Sequence, residues 1–262
     1  MKLRLDALMV ERGLVESRSK AQALVMAGSV RVDGQPASKP GMQVDARCAV
    51  EVVAALPYAS RGGYKLAHAL DQFGLDPAGL TALDAGASTG GFTDVLLQRG
   101  ARLVYAVDVG YGILEYRLRA DARVVTLERT NIRYLEALPP APGADASPRA
   151  PLAECAVVDL AFISLKLVLP SIQRLITPIA WVVVLIKPQF EAGPAQVGKG
   201  GVVRDPAIHR SVIRQVLGAA NELGLTPCGL TRSPITGPAG NQEFLAWLQP
   251  GGEPLELEKI VL

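Results

Sequence analysis

Four residues have the types and positions to do chemistry: Lys65, Asp159, Lys187 and Glu243. Lys187 follows the apolar run Trp181-Val182-Val183-Val184-Leu185-Ile186 and precedes Pro188. A lysine at the end of such a strand is partly desolvated, and a desolvated lysine can act as a general base near neutral pH. Asp159 closes a second apolar run, Cys155-Ala156-Val157-Val158, and Glu243 opens a third, Phe244 to Leu248. Either carboxylate could hold a lysine in place. Lys65 opens a helical segment, where the dipole disfavours a cation, so it is either a site residue or an ordinary solvated lysine. A further stretch, Asp84-Ala85-Gly86-Ala87-Ser88-Thr89-Gly90-Gly91-Phe92, joins an apolar run to a helix. Its three glycines allow a tight turn and the close approach of a ligand. Asp108 closes the next apolar run, where a carboxylate suits the two hydroxyls of a ribose. The stretch matches neither G-x-G-x-x-G nor G-x-x-x-x-G-K-[ST], so it reads as a nucleoside site rather than a phosphate cradle, or as a bare strand–helix turn.

Positioning these residues requires a sheet. Apolar runs at 81–84, 103–108, 123–127, 155–159, 181–186, 225–231 and 243–248 read as seven strands, with helices at about 90–99 and 206–223 between them. Asp205 is the expected cap of the second helix. An earlier helix carries Leu66, Ala69, Leu70 and Phe73 on one face and stops at Gly74. The alternation predicts an α/β fold with a doubly wound, mostly parallel sheet, which collects ligands at the C-terminal strand ends near the switch in strand order. Asp84, Asp108, Asn131, Asp159 and Lys187 all fall at or near such ends. Asn131 could reach a base edge there or cap a turn. The segment 139–151, with five prolines, reads as a flexible surface insertion. Gly193-x-x-x-x-Gly198-Lys199-Gly200-Gly201 lacks the Ser or Thr of a phosphate loop and reads as a mobile loop over the site.

The chain has 262 residues, 49% of them hydrophobic, and a net charge of +2, so it can bury a substantial core and carries no global basic field. Cys48, Cys155 and Cys228 follow no disulfide or metal spacing, and His68 and His209 lack ligand neighbours, so no metal is expected. The first six residues lack the apolar run of a signal peptide, and the longest apolar stretch, Ile179 to Ile186, is too short for a bilayer. These features predict a soluble cytoplasmic protein without stable membrane association. Residues 1–55 read as a separate α+β module: a short helix ending at Gly13, a second capped by Ser17 and stopped by Gly28, a hairpin turning at Asp33-Gly34, and a last strand over 48–53.

Leu5-Asp6-x-Leu8, Arg12-Gly13-Leu14, Ser17-Arg18-x-x-Ala21-x-x-Leu24 and Gly28-x-Val30-x-Val32-x-Gly34 together resemble the S-four-type RNA-binding domain. That resemblance implies RNA contact at Arg4, Arg12, Arg18, Lys20 and Arg31, although Glu11, Glu16 and Asp33 offset them in a simple charge count. Asp84-x-Gly86-x-x-x-Gly90-Gly91-Phe92 resembles the S-adenosylmethionine site of class I methyltransferases, and the order Lys65, Asp159, Lys187, Glu243 resembles the K-D-K-E tetrad of ribose 2′-O-methyltransferases. With Ser60-Arg61-Gly62-Gly63-x-Lys65-Leu66, Asp159-x-x-Phe162-Ile163-Ser164-Leu165, Lys187-Pro188-Gln189-Phe190-Glu191 and Gly240-Asn241-x-Glu243-Phe244, the chain resembles the TlyA family of hemolysin-like ribosomal RNA methyltransferases from about residue 3 to 249. It departs at Leu160-Ala161, where relatives often carry Val-Ser, and in the insertion at 139–151.

The resemblance implies an RNA-binding domain at 1–55, a linker at 56–60, a Rossmann-like methyltransferase domain with a seven-stranded sheet at 61–250, and a tail at 251–262. It implies S-adenosylmethionine as cofactor, with Gly86, Ser88, Gly90, Gly91 and Phe92 around its methionine part, Asp84 and Asp159 nearby, Asp108 on its ribose and Asn131 near its adenine. Lys187 is then the base, tuned by Asp159, with Lys65 and Glu243 completing the network and Arg61 facing RNA. Cytidines of ribosomal RNA, folded or within ribosomal subunits, are the implied substrate. Two other readings are an RNA-binding assembly factor without turnover, which a complete tetrad disfavours, and a membrane-active hemolysin, which no segment supports.

Overall fold

The computed structural model describes residues 2–26, 28–37, 39–52, 57–141, 143 and 150–255. Residues 53–56 of the expected last strand and linker, 142 and 144–149 of the insertion, and 256–262 of the tail lie outside the described residues. The chain divides into two compact units, residues 1–57 and 58–262.

In the first unit, β1 (Lys2–Arg4) leads into helix α1 (Leu5–Glu11), and α2 (Arg18–Met26) follows. Ser17 caps α2, its Oγ accepting the Lys20 N–H at 3.2 Å. Strand β2 (Val30–Val32) turns into β3 (Gln35–Pro36), with Asp33 and Gly34 both at positive φ as a two-residue hairpin turn of this hand requires. β4 (Gln43–Asp45) pairs with β1, and β5 (Val50–Val52) pairs with β2. Leu5, Leu8, Met9, Ala21, Val25 and Val30 fill the core between helices and hairpin. The β1–β4 pair is absent from the sequence reading. Its strands are three residues long and charged, and only long-range pairing defines them.

The second unit begins with α3 (Gly62–Phe73) and continues through β6 (Thr81–Ala85), α4 (Gly91–Gln98), β7 (Leu103–Val107), α5 (Tyr116–Arg119), β8 (Val124–Leu127) and β9 (Ala153–Val158). It is completed by α6 (Leu169–Leu175), β10 (Ile176–Ile186), α7 (Pro188–Glu191), α8 (Pro206–Glu222), β11 (Leu225–Arg232) and β12 (Phe244–Pro250). These seven strands form one sheet in the order β11-β12-β10-β9-β6-β7-β8. β10, β9, β6, β7 and β8 run parallel, and β12 lies antiparallel between β10 and β11. Strand order reverses between β6 and β9, the switch point at which such sheets open a crevice. Alternate residues serve opposite faces: Leu83, Tyr105 and Val184 pack with Leu169, Ile172 and Val216 on one side, and Ala82, Val104 and Val183 pack with Leu66, Leu70 and Leu96 on the other.

The sequence reading starts the fifth strand at Trp181, whereas β10 reaches back to Ile176. Its pairing with β9 breaks between Ile176 and Trp181, around Pro178, which has no N–H to donate. Among the described residues no helix is long and apolar enough to cross a membrane.

Asp84, in β6, is completely buried, and the Thr93 hydroxyl of α4 donates to its Oδ2 at 2.6 Å. Burial pushes this carboxyl up to about 7, against the pull of the Thr93 hydrogen bond. A folded value above the unfolded 3.8 means the group's contribution to stability is full below about pH 4 and is lost as pH rises through about 7. Asp84→Asn keeps an acceptor for Thr93 and removes the titrating group. Urea midpoints should therefore fall more between pH 5 and pH 8 in the unaltered protein than in Asp84→Asn, and parallel pH profiles would contradict it. Both tryptophans, Trp181 and Trp247, lie in the sheet, so their fluorescence reports on the second unit alone. By the same signal Leu96→Ala, at a fully buried helical position, should cost about 2–5 kcal/mol.

Candidate active site

The strand ends converge. Gly86 follows β6, Asp108 follows β7, Asn131 lies beyond β8, Asp159 follows β9 and Lys187 follows β10. Together with Ser88 these residues line one cavity of about 540 Å³. Its apolar wall comes from Val107, Val109, Ile132, Leu160 and Ile163. The sequence offered no sign of that wall, because a single aliphatic residue past a strand end has no pattern of its own.

The glycine loop is shaped by what it touches. Gly86 sits at φ +91, and a Cβ there would lie 2.3 Å from the backbone oxygen of Asp159. Only glycine lets the loop after β6 cross so close to the end of β9. Ser88, at φ +50, donates its backbone N–H to Asp108 Oδ2 at 2.8 Å, while Gly110 N–H reaches Oδ1 at 2.7 Å. Each Asp108 oxygen is thus fixed by one amide and keeps a lone pair for a ligand hydroxyl. Gly91 and Phe92 line a smaller recess of about 90 Å³ with Ser60 and Gly62, and Gly86, Ser88 and Asp159 belong to both spaces. Asp84 lines neither; it lies within the sheet, and Gly90 abuts Leu118. Asn131 lines the cavity and also caps the turn that follows, its Oδ1 accepting the Arg133 N–H at 3.0 Å.

The two lysines each meet a carboxylate. Lys187 Nζ lies 2.5 Å from Asp159 Oδ1, an ion pair outside the angles of a hydrogen bond. Lys65 Nζ donates to Glu243 Oε2 at 2.5 Å, and both residues are buried, at 7% and 1% exposure. Lys65 is therefore not a solvated lysine. Glu243 fits because Gly237 has no side chain: a Cβ there would stand 2.6 Å from Oε1. The register that sets Ile186 opposite Phe244 brings Lys187 and Glu243 to the same end of neighbouring strands. Lys65 and Glu243 do not line the cavity, whereas Lys187 and Asp159 do.

Neighbouring segments brace these pairs. Glu191 accepts the Ser164 hydroxyl at 2.6 Å and the Leu165 N–H at 2.7 Å, which ties the segment after Lys187 to the segment after Asp159. The Phe162 and Phe190 rings lie 5.0 Å apart across the same junction. Asn241 accepts the Val203 N–H at 2.9 Å and donates to the Gly201 oxygen at 2.8 Å, and His209 Nε2 meets the Val203 oxygen at 2.9 Å. The 193–204 loop is thus bonded to its surroundings at Gly201 and Val203, and Gly198 and Val202 pair across its tip. Among the described residues no cluster of His, Cys, Asp and Glu could hold a metal.

The cations expected to face RNA have varied surroundings. Both Arg4 and Arg18 bond to Asp6. Arg12 donates to the Cys48 and Ala46 oxygens, both at 2.7 Å, and so ties α1 to the loop between β4 and β5. Lys20 pairs with Glu16 at 3.3 Å. Arg31, on β2, and Arg61, at the start of α3, are exposed.

The family model of FtsJ-like methyltransferases matches residues 58–250, and that of the S4 domain matches residues 3–47. The chain is 48% identical to the 16S/23S rRNA (cytidine-2′-O)-methyltransferase TlyA of Mycobacterium tuberculosis over 94% of this chain and 89% of that protein. It is 38% identical to Hemolysin A of Brachyspira hyodysenteriae, over 93% of this chain and 98% of the other. A solved structure from Streptococcus thermophilus, provisionally named a hemolysin, superposes with a TM-score of 0.73 at 43% identity, covering 97% of this chain and 90% of that one. Sheet order, the matched domains and these identities agree: the chain belongs to the TlyA family, a methyltransferase of the FtsJ-like type that carries an S4 domain.

Proposed function

We propose that the protein uses S-adenosylmethionine to methylate the ribose 2′-oxygen of a cytidine in ribosomal RNA, in the cytoplasm and with Lys187 as the base. The observation that carries this reading is the Lys187–Asp159 pair on the wall of a nucleoside-sized cavity at the sheet's switch point. The name of the Mycobacterium tuberculosis relative supplies the substrate class. The cavity suits the cofactor: Asp108 has a lone pair for each ribose hydroxyl, Ile132 and Leu160 offer apolar faces to a base, and the glycine loop leaves room for the methionine part. No phosphate cradle is needed, since this cofactor has no phosphate.

The bound cofactor supplies an electrophilic sulfonium methyl group. The rest falls to the chain. Lys187, in its neutral form, takes the proton from the 2′-hydroxyl as that oxygen becomes the nucleophile. Asp159, 2.5 Å away, orients the amine and stabilises the ammonium that forms. Lys65, held by Glu243, places a second cation at the same strand ends to position the nucleotide. Much of the acceleration comes from alignment, because the methyl donor arrives already activated. The S4 domain and Arg61 hold the RNA.

Tritiated methyl transfer to ribosomal subunits and to naked ribosomal RNA tests the reading, with product read as alkali-resistant 2′-O-methylated dinucleotides. Lys187→Ala should lower the rate by about 10²–10⁴-fold while cofactor affinity measured by calorimetry stays near normal. Activity retained in that variant would remove Lys187 as base. Asp108→Ala should raise the Kd for S-adenosylmethionine about 10- to 100-fold, the loss of one or two charge-assisted hydrogen bonds. An unchanged Kd would move the ribose elsewhere.

A further inference from the structure

The first unit contains a buried carboxylate to which the sequence pattern assigns no role. Asp6, the second residue of α1, is 0% exposed. Its oxygens accept from Arg4 Nε at 3.1 Å and Nη2 at 2.8 Å, from Arg18 Nη2 at 3.2 Å and from Gln22 Nε2 at 2.9 Å. The Arg4 hydrogen bonds hold this carboxyl below the usual carboxylate range, so it stays charged. The two guanidiniums stay half exposed, at 47% and 54% of their side chains. That of Arg4 also rests against Gly41, where a Cβ would come within 3.1 Å of it. Arg4 precedes α1 and Arg18 opens α2, fourteen residues apart in sequence, and one carboxylate joins them.

We propose that Asp6 is a positioning residue that fixes Arg4 and Arg18 as one preformed, two-pronged receptor for the phosphate backbone of RNA. The proposal rests on the RNA-binding reading of the S4 domain and deepens it. An arginine loses rotamer freedom on gripping a phosphate, and the loss weakens binding unless the side chain is already ordered. Asp6 supplies that order from below, where it is itself out of reach of the ligand. The cost is one negative charge under two positive ones, so the cluster keeps a net single positive charge. Gln22, which donates to Asp6 without carrying charge, steadies the carboxylate from α2.

Two accounts of Asp6 predict opposite signs. If affinity follows net charge alone, Asp6→Asn removes one negative charge and tightens RNA binding. If Asp6 positions the arginines, the same change weakens it. The test measures the Kd of the full-length protein for naked ribosomal RNA by filter binding, in the unaltered chain and in an Arg4→Ala/Arg18→Ala background. Asp6→Asn should raise Kd about tenfold in the first, the sum of two side chains to be ordered anew, and should have no further effect in the second. In methyl transfer the loss should appear in KM for RNA rather than in kcat. Gln22→Ala, which leaves every charge in place, should raise Kd about two- to threefold. Unchanged or tighter binding by Asp6→Asn would overturn the proposal. Equal weakening in both backgrounds would also overturn it, since Asp6 would then act through the fold and not through the arginines. An unaltered protein with no affinity for ribosomal RNA would instead overturn the RNA reading itself.

Discussion

A charge at the end of an apolar strand needs a polar partner, and the second unit is built around two places where an opposite charge supplies it. β9, β10 and β12 are buried along most of their length. A lysine or carboxylate emerging from them has little water to receive it. Lys187 meets Asp159, and Lys65 meets Glu243. Removing one member of the buried Lys65–Glu243 pair leaves an uncompensated charge, which costs about 3–5 kcal/mol, whereas the intact pair contributes little net stability. The pairs therefore constrain the fold more than they stabilise it. They require α3 to bring Lys65 to the sheet end, and β12 to run antiparallel so that Glu243, at its start, stands beside Lys187, at the finish of β10.

Close backbone approach is the second constraint, and it connects the glycine loop after β6 to the end of β9. The loop after β6 passes so near the Asp159 carbonyl that residue 86 has no room for a side chain. Asp108 gathers the amides of Ser88 and Gly110, and Glu191 gathers the hydroxyl and amide of Ser164 and Leu165. Each carboxylate closes a loop by satisfying backbone or side-chain donors that would otherwise lack a partner. The result is a rim of loops set by short polar contacts upon a largely apolar sheet, so that strand ends separated by up to about a hundred residues of chain form one wall.

Much of this was legible beforehand. Strands in a parallel sheet announce themselves as continuous apolar runs, and each polar residue that ends a run is conspicuous. Asp108, Asn131, Asp159 and Lys187 were found in this way, and the structure sets all four on one cavity. The Asp33-Gly34 turn and the caps at Ser17 and Asp205 were equally local, because a left-handed pair or a side-chain acceptor acts within four residues. The first strand pair of the S4 domain escaped, as did the backward extension of β10 through Pro178, since both depend on partners distant in sequence. Lys65 stood between two readings until its surroundings were known, because burial is a property of packing and not of a residue type. Asp6 was read as part of the S4 pattern but given no role, being an acid in a first helical turn, a position that the helix dipole favours for any carboxylate.

The sequence by itself determined the kind of protein: apolar periodicity specified the sheet, and motifs in order specified the family. Those signals are local, and local signals survive without coordinates. Which charges meet was decided only by the tertiary structure. Lys65 and Glu243 are 178 positions apart, and Arg4 and Arg18 share Asp6 only because two helices pack against each other. Coulombic attraction and desolvation depend on distance and burial in space. A chain of letters contains neither until the core has closed.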